Sequence, residues 1–305
     1  VIGARRTGVP GTDERERDRG YHAAVNTSHL LVLAAAVLVG ILLMAGFLHL
    51  LGVLGAPGRA VARWATAAPG LDLVVAYFIA GPWLAATVCA VVWKLTIPAF
   101  AGTLLVTIAA QIAALLIWIG LHELACRGQV RGPRVVTTLN GIVGPFRNLF
   151  AVWWTGLAVP LFLLVRLAEW VVYPPLVWLV RFPRYNQAQW VNVSRQKFDG
   201  LVGYDRIWCL YCDWMTGVWS LGGEMLRNVE SFWCPIRFGS PEKCENCRHD
   251  FPDVVGEWIP ADRDLSDVTA LLKRKYTKDG PNTWFGHPVR LTVEGEARWE
   301  GEGGG

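Results

Sequence analysis

The residues best suited to chemistry are five cysteines in the last third of the chain: Cys209 and Cys212, then Cys234, then Cys244 and Cys247. Two residues between thiolates let both sulfurs turn toward one ion, and two such pairs supply a tetrahedral S4 set. The spacing therefore predicts a metal site built from four of the five. The 31-residue interval between the pairs is longer than the usual 15 to 20 residues of a paired zinc site. Cys234 or His249 can then substitute for one member of a pair. Zn2+ is the expected ion, because reduced thiols and a loop-rich domain suit a structural staple. An iron–sulfur centre is the alternative, and buried thiols or disulfides are the reading without metal.

The second pair sits among polar residues after Gly239-Ser240-Pro241, as an exposed knuckle would, while Trp208, Leu210, Tyr211 and Trp214 surround the first. The Cys244 to Cys247 knuckle resembles those of zinc-ribbon and rubredoxin-like modules over four residues, with Arg248 where a glycine often stands. That resemblance implies metal ligation and no particular reaction.

Two histidines form a second candidate. His49 lies near the end of one long apolar stretch and His122 ends another, so parallel helices would bring them to one depth. Imidazoles so placed are candidate haem or chlorin ligands; the competing reading is a headgroup-level residue or an interhelical hydrogen bond. His122-Glu123 is not a zinc-protease motif, since Cys126 stands where the second histidine would be.

The elements that position these groups are set by composition. Hydrophobic residues make up 53% of the 305 and charged residues only 18%, and charge is sparse from 29 to 182. A hydrocarbon core about 30 Å thick needs about 20 apolar helical residues. Spans are expected near 30–54, 73–93, 99–121 and 149–170, followed by an interfacial segment at 171–182 rich in Trp, Tyr and Pro. Pro82 predicts a kink in the second span, and Gln111 in the third must face a neighbouring helix. Pro160, Arg166 and Glu169 make the fourth span the weakest, with a re-entrant or surface helix as its alternative.

The fold class expected is thus mainly α. A polytopic membrane domain of about four helices (29–182) follows a polar tail (1–28) and precedes a small irregular α+β cysteine-rich domain (183–299). Residues 300–305 form a disordered tail. In the polar part, 213–230 reads as an amphipathic helix broken near Gly222. A helix begins after Asp264 and closes on Lys273 to Lys275, and 289–299 alternates as a strand. Nothing before Tyr21 has the form of a signal peptide.

Lys and Arg counts in the flanks favour cytoplasmic N- and C-termini, in a membrane of the bacterial inner type. The arginines form no stripe that would follow a phosphate backbone, so nucleic acid is not an expected partner. There is no phosphate loop, nucleophile elbow or calcium loop. The function expected is a non-catalytic membrane subunit or assembly protein, contacting lipid and other subunits and docking through a zinc-stapled domain. A redox subunit and a small transporter are the alternatives.

Overall fold

The computed structural model describes residues 27–130, 132–195, 198, 200–243, 257–278, 282, 290–291 and 297–298. It is mainly helical, and four of its helical stretches are long and apolar enough to cross a membrane: Thr27–Val53, Gly70–Val92, Ile97–Ala125 and Pro145–Leu179. They mark an integral membrane protein. The chain forms two compact units that interleave in sequence, Val1–Thr138 with Val193–Leu210, and Leu139–Asn192 with Tyr211–Gly305.

The first unit is built on α1 (Thr27–Leu50), α3 (Gly70–Val92) and α4 (Ile97–Ala125), with the short α2 (Gly55–Ala65) between α1 and α3. Lipid is as apolar as leucine, so such helices associate where small side chains let them approach. On α4 the buried positions Thr103, Thr107, Ala110 and Ala114 form a seam at four- and three-residue steps, with Ile119 and His122 buried beyond it. α1 and α3 both pack against α4. At one end His29 stacks on Trp93, with centroids 5.3 Å apart. At the other, His49 meets Trp118 and His122, so α1 and α4 run parallel and α3 runs against them.

The expected proline defect is repaired. Pro82 has no N–H, so the carbonyl of Phe78 loses the donor that the helix would have supplied. Gln111 Nε2 donates to that carbonyl at 2.5 Å, and lies 3.4 Å from the oxygen of Ile79. The amide thus satisfies itself and the orphaned carbonyl in one contact.

In the second unit, α6 (Pro145–Thr155), α7 (Val159–Val171) and α8 (Tyr173–Leu179) follow one another, with a 3-10 turn at Gly156–Ala158 between the first two. A short α5 (Val135–Val143) leads into them and α9 (Gln187–Trp190) follows them. Pro160 lies in the first turn of α7, where its missing donor costs nothing. The longest element, α10 (Gly203–Trp233), reaches this unit at Tyr211. It lies parallel to α6–α8: Tyr211 bonds the carbonyl of Thr155, Phe162 meets Trp214 and Trp219, and Gly222 faces Val165 and Glu169.

Two expectations about the polar part are corrected. The helix is not broken near Gly222; it is continuous for 31 residues. Its glycines serve close approach: a Cβ on Gly217 would stand 2.4 Å from the carbonyl oxygen of Trp190. The irregular α+β cysteine-rich domain is not supported either. The described residues there are mainly helical; of the strand expected over 289–299 they include Arg290, Leu291, Ala297 and Arg298, which pair antiparallel as Arg290↔Arg298 and Leu291↔Ala297, and the rest of it lies outside the described residues.

The helix expected after Asp264 is present as α11 (Leu265–Lys275). The Asp264 side chain accepts from the N–H of Ser266, and Lys273, Arg274 and Lys275 close the last turn. Leu271 and Trp258 form a small core with Ile259 and Tyr276 against it, and Tyr276 touches Phe232 of α10.

Candidate functional site

The titratable groups of the first unit converge where α1 and α4 end. His49 and His122 lie with ring centroids 5.2 Å apart, tilted by 45°, and Trp118 adjoins both. The shared depth expected of the two histidines is observed. Their rings touch directly, whereas axial haem ligands stand on opposite faces of a macrocycle.

Hydrogen bonds assign what His122 does. The backbone N–H of Gly203 donates to His122 Nδ1 at 3.1 Å, so the neutral ring carries its proton on Nε2, which lies 3.8 Å from Cys126 Sγ. The next N–H, that of Tyr204, donates to Glu123 Oε1 at 3.3 Å. These are first-turn donors of α10, which have no acceptor within their own helix. α4 caps α10 with a histidine and a glutamate side by side.

The arrangement is reciprocal. Asp205, in the first turn of α10, accepts from the N–H of Val136 at 3.0 Å and so caps α5. Arg134 ties the parts together, donating to Glu123 at 2.7 Å, to Asp205 at 3.2 Å and to the carbonyl of Val202 at 3.3 Å. The bond to Glu123, ahead of that to Asp205, holds the guanidinium more firmly in its charged form. Gly203 is required here: its φ of +47° is strained for other residues, and a Cβ would overlap the Glu123 side chain.

The second unit buries a different set. Arg166 Nη1 donates to Glu169 Oε2 at 2.5 Å, with both side chains at most 5% exposed. Arg166 also donates to Gln187 Oε1 at 2.7 Å and lies over the ring of Trp170. Nearby, Asn228 donates to the hydroxyl of Tyr185, and Tyr173 donates to the carbonyl of Pro183 at 3.2 Å. Burial, then the neighbouring Tyr173 and Glu224, push the Tyr185 phenol well above its ordinary range.

The cysteines are divided by α10. Cys209 and Cys212 lie one turn apart on it, and the exposed Cys234 follows its last residue. At 1.5 Å per residue, Cys212 and Cys234 are about 33 Å apart, too far to share an ion. A four-cysteine site therefore has one composition, Cys209, Cys212, Cys244 and Cys247; Cys234 belongs only to a set without the first pair. Cys244, Cys247 and His249 lie outside the described residues. Among the described residues no three of His, Cys, Asp and Glu converge to hold a metal ion.

The sequence reading missed Arg134, Gly203 and Asp205 as partners of His122 and Glu123. Glycine before an aromatic residue and an aspartate at a helix start was the available signal. Asn228 was legible as the polar member of a stripe, Trp214, Val218, Leu221 and Met225, that is otherwise apolar and buried. Compared with known protein families, with curated proteins and with solved structures, the chain matches none.

Proposed function

We propose that this chain is a non-catalytic membrane subunit or assembly protein of a larger complex, docking partners through its extramembrane helix and a zinc-stapled C-terminal part. One observation carries the reading: where titratable side chains converge, the acceptors of His122, Glu123 and Asp205 are bonded to the N–H groups of helix ends. Groups held in this way fix geometry; a catalytic base needs its lone pair turned to a substrate.

The docking feature is a ridge on α10. Trp219, Leu226 and Trp233 recur every seven residues and are 63%, 58% and 55% exposed. That interval is the seam of a helix pair, so the fitting partner presents an apolar helical stripe. The zinc reading is supported by the C-x-x-C spacing of Cys244 and Cys247, with Cys234 ten residues before them.

Purification from native membranes tests the proposal. A stoichiometric partner is expected, lost when Trp219 and Trp233 are both changed to serine while the protein still elutes as folded; a monodisperse monomer from the unaltered chain overturns it. Elemental analysis of the same preparation should find about one zinc per chain at four ligands. Iron with visible absorbance would move the protein to the redox class.

A further inference from the structure

We infer that the fourth apolar stretch, Pro145–Leu179, does not cross the membrane but lies in its headgroup layer, with its outward apolar stripe against lipid. It begins and ends on the face where α1 and α4 finish. Three helices then cross, so the start of α1 at Thr27 and the chain at Val193 lie on opposite faces.

The argument starts from the first unit alone. The chain leaves that unit at Thr138 and re-enters it at Val193. On the way out, Arg134 is bonded to Glu123 in the last turn of α4. On the return, the N–H of Val193 donates at 2.9 Å to the carbonyl of Thr66, which follows α2. Gly203 then donates to His122. The ring contact of His49 with His122 marks this as the end where α1 also finishes. Departure and return are therefore on one membrane face.

If Pro145–Leu179 crossed, residues 180–192 would have to cross back. They hold a single four-residue helix, Gln187–Trp190, and expose Arg184, Asn186 and Gln189. Hydrocarbon admits neither a lipid-facing irregular segment nor an arginine exposed to it, so these residues do not form a return crossing. An excursion along the interface removes the conflict.

The side chains fit that position. Leu161, Leu164, Leu167 and Val171 form an outward stripe on α7, each 57–62% exposed, while Arg166 and Glu169 turn inward. Arg147 near one end and Arg181 and Arg184 near the other are exposed. An apolar stripe with flanking arginines is the pattern of a helix seated among anionic headgroups.

The test uses the full chain with single added cysteines at exposed positions, Thr96→Cys, Gly128→Cys and Gln189→Cys. Labelling by a membrane-impermeant maleimide is compared between intact cells and everted vesicles, each against the unaltered chain. Gln189→Cys should label from the same side as Gly128→Cys, and Thr96→Cys from the other. Grouping of Gln189→Cys with Thr96→Cys overturns the inference. Independently, a spin label on Leu164→Cys in vesicles of phosphatidylcholine with phosphatidylglycerol should sit within about 5–10 Å of the headgroup boundary. A position at the bilayer midplane would also overturn it.

Discussion

The two units bury polarity by different means. In the first, Gln111 serves the carbonyl above Pro82, and His122 and Glu123 serve the start of α10, all backbone groups that helical geometry has left unpaired, beside the ion pairs of Arg134. In the second, the most deeply buried polar contacts join side chain to side chain, Arg166 with Glu169 and Gln187, Asn228 with Tyr185. A backbone group cannot be mutated away, so the first scheme tolerates little substitution on the side-chain side. A charge pair can be removed whole, so the second tolerates joint replacement.

That contrast sets the largest expected effect. Arg166→Met alone takes the guanidinium from Glu169, a carboxylate at 4% exposure, and should destabilise by about 3–5 kcal/mol. Arg166→Met with Glu169→Leu should recover most of the loss. Thermal unfolding in detergent of both singles and the double reads it, and a double variant as unstable as the singles would erase the distinction.

Next comes the proline repair. Gln111→Leu leaves the carbonyl of Phe78 without its donor and should cost about 1–3 kcal/mol. With Pro82→Ala the helix regains its own bond, so Gln111→Leu should then cost less than half as much. Equal costs in both backgrounds would show that Gln111 matters by packing alone.

Glycine sharpens the comparison further. Gly217→Ala in the second unit drives a Cβ into the Trp190 carbonyl and should cost about 1–3 kcal/mol. Gly120→Ala in α4 meets nothing within 4 Å and should lie within about 1 kcal/mol of the unaltered chain, on the stabilising side. Unfolding midpoints of the two variants decide the point.

The smallest effect is one of pH. Asp264 is held below the usual carboxylate range by the Ser266 side chain, and then by the N–H of the same residue. A depressed folded value means that the cap contributes fully above the ordinary aspartate range and fades as pH falls through the folded value. The protection of α11 amides, measured as exchange relative to the unstructured amide at the same pH, should therefore fall in acid, and Asp264→Asn should abolish that dependence while keeping the cap. The same protection at neutral and acidic pH would remove Asp264 from the account.

Long apolar runs announced the three helices of the first unit, and the cap at Asp264 with the closing lysines announced α11, because these signals are local. What escaped depended on distance in sequence. Gln111 was read as an amide that must face a neighbouring helix, as it does, and Pro82 as the site of a kink, yet nothing in either neighbourhood says that the two meet. The glycines of α10 were read as breaks because propensity penalises them; the close approach of Trp190 to Gly217 overrides that penalty. The fourth stretch meets the length and polarity that hydropathy measures, while its proposed place in the headgroup layer rests on where the chain returns, to which hydropathy is blind.

The bond from Gly203 to His122 spans 81 residues. At about 5–20 residues per second of synthesis, the histidine is made roughly 4–16 s before its partner. During that interval α4 ends in an imidazole and a carboxylate with nothing yet to cap. In a nascent chain paused before residue 203, Arg134 is already present to occupy Glu123, and it is His122 Nδ1 whose donor has not yet been made.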